Sequence, residues 1–209
     1  MIILVSGKSG SGKDTFGGVA TERGFDRCSA GDVCKHEVAS FLNSLYIPYN
    51  YVNLFGTQEE KLVHCFDSTD RVFDEFPYEL RKLIIDATDT RPTASVTFRD
   101  VLGAWAKWKN GKDPFHFVRQ MFETMDPLQD YVMTDFRFMN ELMFLRERAE
   151  VVTVRIDRPE TDALIPVHSI DNNLDGVKLW DYRIYNNASL SYFTRSCEAV
   201  MSDIVENIL

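Results

Sequence analysis

Residues 1–15 read MIILVSGKSGSGKDT, and this stretch decides the fold. Ile2, Ile3, Leu4 and Val5 form a short apolar, β-branched run, the pattern of a buried strand. Gly7-Lys8-Ser9-Gly10-Ser11-Gly12-Lys13 then fits the first seven positions of the G-x-x-x-x-G-K-[ST] phosphate loop. Glycines at 7, 10 and 12 let the backbone turn tightly and come close to a phosphate chain. Successive backbone N–H groups in such a turn form an anion nest, and the helix that follows aims its positive dipole end at the same anion. Lys13 is placed to reach the β- and γ-phosphates. The plain alternative is a glycine-rich turn that opens a helix and binds nothing; the preceding strand and following helix argue against it. One position departs from the motif. Asp14 stands where a Ser or Thr hydroxyl contacts Mg²⁺, and Thr15 comes one residue later. A carboxylate there can hold Mg²⁺ directly or through water, or repel a phosphate if misplaced.

The 209 residues suffice for one α/β domain with a sizeable core. At 44% apolar and 26% charged residues the chain is globular. Its net charge of −9 argues against a general nucleic-acid surface. Cys28, Cys34, Cys65 and Cys197 are scattered without a C-x-x-C pair, so a zinc site is not expected; reduced thiols fit a cytoplasmic protein. The short apolar start lacks a basic flank and reads as a strand, not a signal peptide. No apolar run approaches the roughly 18 residues of a membrane span.

Along the chain, helices are expected over 14–23, with Phe16, Val19 and Ala20 inward, and over 33–45, with Asp32 as cap. Gly17 and Gly18 imply close packing of the first helix on the sheet. Residues 25–29 read as a second strand. Lys35 and His36 then lie in the first turn of the second helix, on the rim where doubly wound sheets bind ligands. Residues 46–95 are rich in Pro and aromatics, with helices expected over 58–66 and 78–87. Further helices are expected over 97–108, stopped by Asn110-Gly111, and over 115–125 behind Pro114. Strands are expected over 131–134, 151–156 and 182–185, and helices over 139–148 and 189–209. The 158–175 stretch reads as a lid loop. Alternation of strands and helices predicts an α/β fold with a parallel sheet. The expected organisation is a single domain over 1–209 with a helical insertion around 46–125.

Thr134-Asp135-Phe136-Arg137 follows an apolar strand, which puts Asp135 on the same rim as the loop. An acidic residue there can hold Mg²⁺ through water, and Arg137 can grip a phosphate bidentately. A surface Asp–Arg pair is the plain alternative.

These elements together resemble the bacteriophage deoxynucleoside monophosphate kinases. The likeness lies in Gly7–Thr15 with its Gly-Lys-Asp, in Val132-Met133-Thr134-Asp135-Phe136-Arg137-Phe138-Met139-Asn140-Glu141, and in Val152–Ile156 followed by Asp157-Arg158-Pro159. His168-Ser169-Ile170-Asp171, Tyr185-Asn186-Asn187-Ala188-Ser189-Leu190 and, weakly, Arg99-x-x-Leu102 extend it. It covers both ends and the second half, but not 46–95. The resemblance implies a P-loop NTPase-like three-layer αβα fold with a central parallel sheet of order 2-3-1-4-5. It implies phosphoryl transfer from ATP, with Mg²⁺, to a deoxynucleoside monophosphate, giving the diphosphate for phage DNA synthesis in the host cytoplasm. Gly7, Gly10, Ser11, Gly12, Lys13, Asp14 and Thr15 would bind ATP. Asp14 and Asp135 would serve the metal. Lys35, Arg99, Asp135 and Arg137 would hold the acceptor. Lys13, Arg137 and Arg158 would act on the moving phosphoryl, with Arg155 as the alternative to Arg158. The partners are small molecules and not nucleic acid or membrane, with a homodimer left open. Rival readings are a phosphomevalonate or dephospho-coenzyme A kinase, a non-catalytic nucleotide-binding protein, and a packaging or helicase-type ATPase.

Overall fold

The computed structural model describes residues 1–57, 59–88, 95–159, 174–178 and 180–208. The chain forms two compact units, Met1–Ser29 with Met121–Leu209, and Ala30–Gln120.

The strands, in chain order, are β1 (Ile2–Ser6), β2 (Asp26–Cys28), β3 (His64–Asp67), β4 (Ser95–Thr97), β5 (Tyr131–Met133), β6 (Val151–Asp157) and β7 (Tyr182–Tyr185). The first unit is built on a five-stranded sheet of order β2-β5-β1-β6-β7. Every pairing in it is parallel. Counting only its own strands, this is the expected 2-3-1-4-5 order, with helices packed against the sheet. β1 is central because it is apolar on both faces, and all five of its residues are buried. Side chains alternate across the sheet. Ile3, Val5, Val132, Val154, Ile156 and Ile184 point into one core with Phe16, Val19 and Ala20 of helix Lys13–Glu22. Helix Leu190–Ile208 closes that core with Phe193, Cys197, Met201 and Ile204. The close approach of the first helix is at Gly17, where an added Cβ would lie 2.7 Å from Thr134 Cγ2; at Gly18 there is open space, so only one of the two glycines has the packing role expected of both.

The second unit contains helices Ala30–Ser44, Tyr51–Phe55, Tyr78–Thr88 and Phe98–Lys112, with β3 and β4 as an antiparallel pair. Its centre is aromatic. Phe66, Phe73 and Phe76 meet with ring centroids 5.1–5.6 Å apart. Phe41 bridges Phe76 and Trp105.

Three expectations need correction. The second helix begins at Ala30, two residues before the predicted cap, so Asp32 lies inside its first turn and pairs with Lys35 instead. Of the helix expected over 58–66, the described residues 59–66 form none: a single 3₁₀ turn over Glu60–Leu62 gives way to β3, in which Phe66 is buried between more exposed neighbours. The helix from Phe98 runs through Asn110-Gly111 to Lys112. Its start is fixed by a capping box, in which Asp100 Oδ2 accepts the Thr97 N–H at 2.8 Å. Lys109 and Lys112 complement the dipole at its end.

Phe193 is 1% exposed and stands between the last helix, the sheet core and the phosphate loop. Phe193→Ala should cost about 3–5 kcal/mol. Urea unfolding followed by circular dichroism measures this; a loss below about 1 kcal/mol would show that the ring is not part of the core.

Candidate active site

β1 ends at Ser6 and the chain turns at once. Ser11 N–H donates to Lys8 O at 3.1 Å, closing the loop, and the helix begins at Lys13. Gly12 has φ 109°, in the left-handed region that favours glycine. A Cβ there would also lie 2.6 Å from Phe193 Cε1 and 3.0 Å from Asn186 Nδ2. A Cβ at Gly7 would meet Ser11 Oγ and come within 2.6 Å of Ile156 O. Space and conformation thus both require these two glycines. Lys13 Nζ donates to the carbonyls of Gly7 and Lys8, each at 2.7 Å, so its charge is held on the loop. Arg158 Nη1 donates to Gly10 O at 3.1 Å and Asn186 Nδ2 to Ser11 O at 2.9 Å. The loop is therefore gripped from β6 and from the turn after β7. Ser11 Oγ is fully buried within it and has no hydrogen-bond partner among the described residues.

Strand register sets the second part of the rim. Leu4 pairs with Met133, so Asp135 stands two residues beyond β5 as Ser6 stands two beyond Leu4. Ser29 Oγ donates to Asp135 Oδ2 at 2.8 Å. Glu141 lies beneath the Asp135-Phe136-Arg137 turn. Its Oε2 accepts the backbone N–H groups of Arg137 and Phe138, both at 3.0 Å. Those two donors favour an ionised carboxyl, but burial and the nearby Asp135 charge outweigh them and push its pKa up to about 8.

Arg155, in β6, and Arg158, just past its end, differ. Arg155 is 5% exposed. Its guanidinium donates to Asp157 Oδ1 (3.1 Å), Ser6 Oγ (3.2 Å) and Asp175 Oδ1 (2.7 Å). Asp157 also accepts from Arg183. Arg155 is committed to holding β1, β6 and the returning chain together. Arg158 is half-buried on the loop. Asp14 points outward, with a side chain 92% exposed and 4.0 Å from Arg27 Nη1. Thr15 is half-buried in the first helical turn.

Magnesium that travels with a nucleotide needs only one or two protein carboxylates, because phosphates and water complete its shell. Among the described residues no group of three or more His, Cys, Asp or Glu forms a metal cage. Asp135, on the rim beside the loop, fits such a role. Asp14 fits it less well, since its carboxylate faces solvent and Arg27.

Lys35 and Arg99 belong to the second unit. Lys35 Nζ is 2.5 Å from Asp32 Oδ1. Arg99 is half-buried in the first turn of its helix. Of the expected lid over 158–175, residues 160–173, His168 included, lie outside the described residues. Burial pushes all four thiols up to about 12, which leaves no reactive thiolate. Among the described residues no helix is long and apolar enough to cross a membrane.

Two residues beyond those expected prove central. Glu141 and Asn186 both stand in the motifs quoted above, but only the folded chain places their side chains under the rim and against the loop.

Sheet order and loop together define a P-loop NTPase-like αβα protein. No family model and no curated protein matches the chain. Among solved structures it is similar to a dephospho-CoA kinase from Campylobacter jejuni, at 19% identity and a TM-score of 0.49, covering 97% of this chain and 96% of that one. It is also similar to TT1252 from Thermus thermophilus, at 13% identity and a TM-score of 0.44, covering 97% of each chain.

Folding brings a proton onto Glu141 that the unfolded chain releases near the ordinary value of 4.5. The folded state therefore binds more protons between that value and about 8, and this group's contribution to stability falls as pH rises through the window. Glu141→Gln should remove that slope while keeping the two accepted hydrogen bonds. Glu141→Ala should lose the cap and cost about 0.5–2 kcal/mol. Urea unfolding from pH 5 to 8 reads both; an unchanged slope in Glu141→Gln would mean that the carboxyl is ionised throughout.

Proposed function

We propose that the chain is a small-molecule kinase that moves the γ-phosphoryl of ATP to the phosphate of a deoxynucleoside monophosphate. The observation that carries this reading is the loop over 7–13, with Lys13 folded onto it and Arg158 joined to its Gly10 carbonyl. Two cations on one backbone nest are more than nucleotide retention requires, and they suit a transferring phosphoryl whose charge is spread over its oxygens.

Gly7, Gly10, Ser11, Gly12 and Thr15 would present backbone and hydroxyl donors to the triphosphate. Ser11 Oγ, buried and without a partner among the described residues, supports a bound anion there, since a buried hydroxyl without a partner is costly. Lys13 would neutralise the β- and γ-phosphates. Mg²⁺, when bound, supplies charge neutralisation between those phosphates. Asp135 would orient it, with Asp14 acting through water. Arg137 would bind the acceptor phosphate. An oxygen of that phosphate forms the new P–O bond, and the bond from the γ-phosphorus to the β–γ bridging oxygen breaks. ADP leaves with the electron pair. The attacking oxygen is already anionic, so no general base is needed. Arg158 would stabilise the charge in flight, the role Arg155 is too deeply committed to fill.

Arg137 is assigned to the acceptor because its backbone is pinned by Glu141 on the rim beside Asp135, and a guanidinium fork suits a terminal phosphate better than an ammonium does. ADP release should be measured with the four common deoxynucleoside monophosphates, and with mevalonate phosphate and dephospho-coenzyme A as rival acceptors. Turnover is expected with at least one deoxynucleotide and with neither rival; turnover with a rival alone would reassign the acceptor. Arg137→Lys should raise the acceptor KM and lower kcat, reducing kcat/KM by about ten- to a hundredfold, the worth of one charge-assisted contact. The ATP KM should barely move. A raised ATP KM with an unchanged acceptor KM would place Arg137 on the donor side.

A further inference from the structure

The second unit brings a group of like charges near one another. Lys61 is the middle residue of the 3₁₀ turn Glu60–Leu62, and its Nζ donates to Gly56 O at 2.5 Å. Gly56 directly follows Phe55, and the Lys35 ammonium sits 5.8 Å from the centre of the Phe55 ring. Arg99 comes from a third element. Its helix is joined to the residues after Lys61, because Phe98 N–H donates to Val63 O at 3.3 Å and Thr97 pairs with His64. Three cations from three separate segments are thus brought together in a chain whose net charge is −9. Asp32 and Glu60 are the acidic groups that face Lys61. Asp32 is engaged by Lys35, and Glu60 Oε2 accepts the Thr57 N–H at 2.6 Å.

Gathering these charges costs free energy. Burial, then the positive charges of Lys35 and Arg99, hold the Lys61 ammonium below the usual lysine range. An ammonium carries three donors and Gly56 O takes one of Lys61's. A dianion arriving among the three cations would relieve their repulsion. A phosphomonoester is such a dianion near neutral pH, since its second pKa is about 6.

We infer that Lys61 completes, with Lys35 and Arg99, a three-cation cradle within the second unit for the phosphomonoester group of a nucleotide. This rests on the kinase reading for the nucleotide's identity, but not for the binding of phosphate. Lys61 is the new member: nothing in its sequence context marks it. The stack of Tyr51 on Phe55, with centroids 4.5 Å apart, lies directly beside the cradle and gives the ligand's organic part an apolar surface to meet.

The test is calorimetric titration of the full chain with inorganic phosphate, and with each of the four common deoxynucleoside monophosphates, in the absence of ATP. The parent should bind phosphate and at least one nucleotide. Lys61→Met should weaken both about ten- to a hundredfold, as losing one charge-assisted contact implies. Lys61→Arg should retain most of the affinity. Lys82→Met, the same charge change at an exposed site in the same unit, should leave both unchanged. ATP binding should be the same in all four proteins. Lys61→Gln serves as a second neutral variant, and thermal melting checks that each variant folds. Unaltered binding in the folded neutral variants, or no phosphate binding by the parent, would overturn the cradle. Its failure is separable from that of the kinase reading. Turnover of a deoxynucleotide with an acceptor KM indifferent to Lys61 removes the cradle and keeps the kinase. Lys61-dependent phosphate binding without any turnover does the reverse.

Discussion

A loop of backbone N–H groups binds phosphate only if its shape is held before the ligand arrives. The central constraint in this molecule is therefore the immobilisation of residues 7–13. Sheet, final helix and two side chains all serve it. Phe193 leaves no room for a side chain at Gly12, Ile156 O leaves none at Gly7, and Asn186 and Arg158 grip two loop carbonyls. Each of these contacts comes from a segment more than 140 residues downstream of the loop. The loop is thus a product of the whole sheet order: only with β1 between β5 and β6 do these partners reach it. Lys13, donating to Gly7 and Lys8 carbonyls, keeps positive charge in place at low entropic cost, because its stem is already ordered.

The rest of the rim follows the same logic. Asp135 and Arg137 project from a turn whose two N–H groups end on a buried carboxyl, so the residues proposed to meet metal and acceptor are set by Glu141 rather than by their own surroundings. Arg155 performs the equivalent service on the other side of β1, its buried guanidinium tying Ser6, Asp157 and the exposed Asp175 together. A buried guanidinium with three acceptors is a structural brace. Arg158, three residues on, instead donates to the Gly10 carbonyl of the loop.

How much of this could be read in the sequence depended on the range of the interactions. The loop, β1, the first helix and the rim strand were legible because each is a local pattern: an apolar run, glycines at fixed offsets, an acidic residue at a strand end. The 2-3-1-4-5 order followed from resemblance, and the pairings bear it out. The segment over 58–66 was misread because a short run of helix-compatible residues carries no information about a strand partner; β3 forms only because β4 lies thirty residues downstream to pair with it. Asn110-Gly111 looked like a stop, but the lysines and the capped start keep that helix going for another turn. The difference between Arg155 and Arg158 was invisible, since two arginines three residues apart on a strand end have the same local context. Only burial against Ser6 and Asp175 separates them. Lys61 was missed for a related reason: its meaning lies in Lys35 and Arg99, which reach it through the fold.

The central claim is that the loop over 7–13 holds the triphosphate of a nucleotide through Lys13. Its most direct measurement is calorimetric titration of Mg·ATP into the parent chain and into Lys13→Ala, with the fold of both confirmed by circular dichroism. The account predicts a single site in the parent and at least a tenfold loss of affinity in the variant, the least that removing a charge-assisted phosphate contact implies. Equal affinity in the two proteins would contradict it.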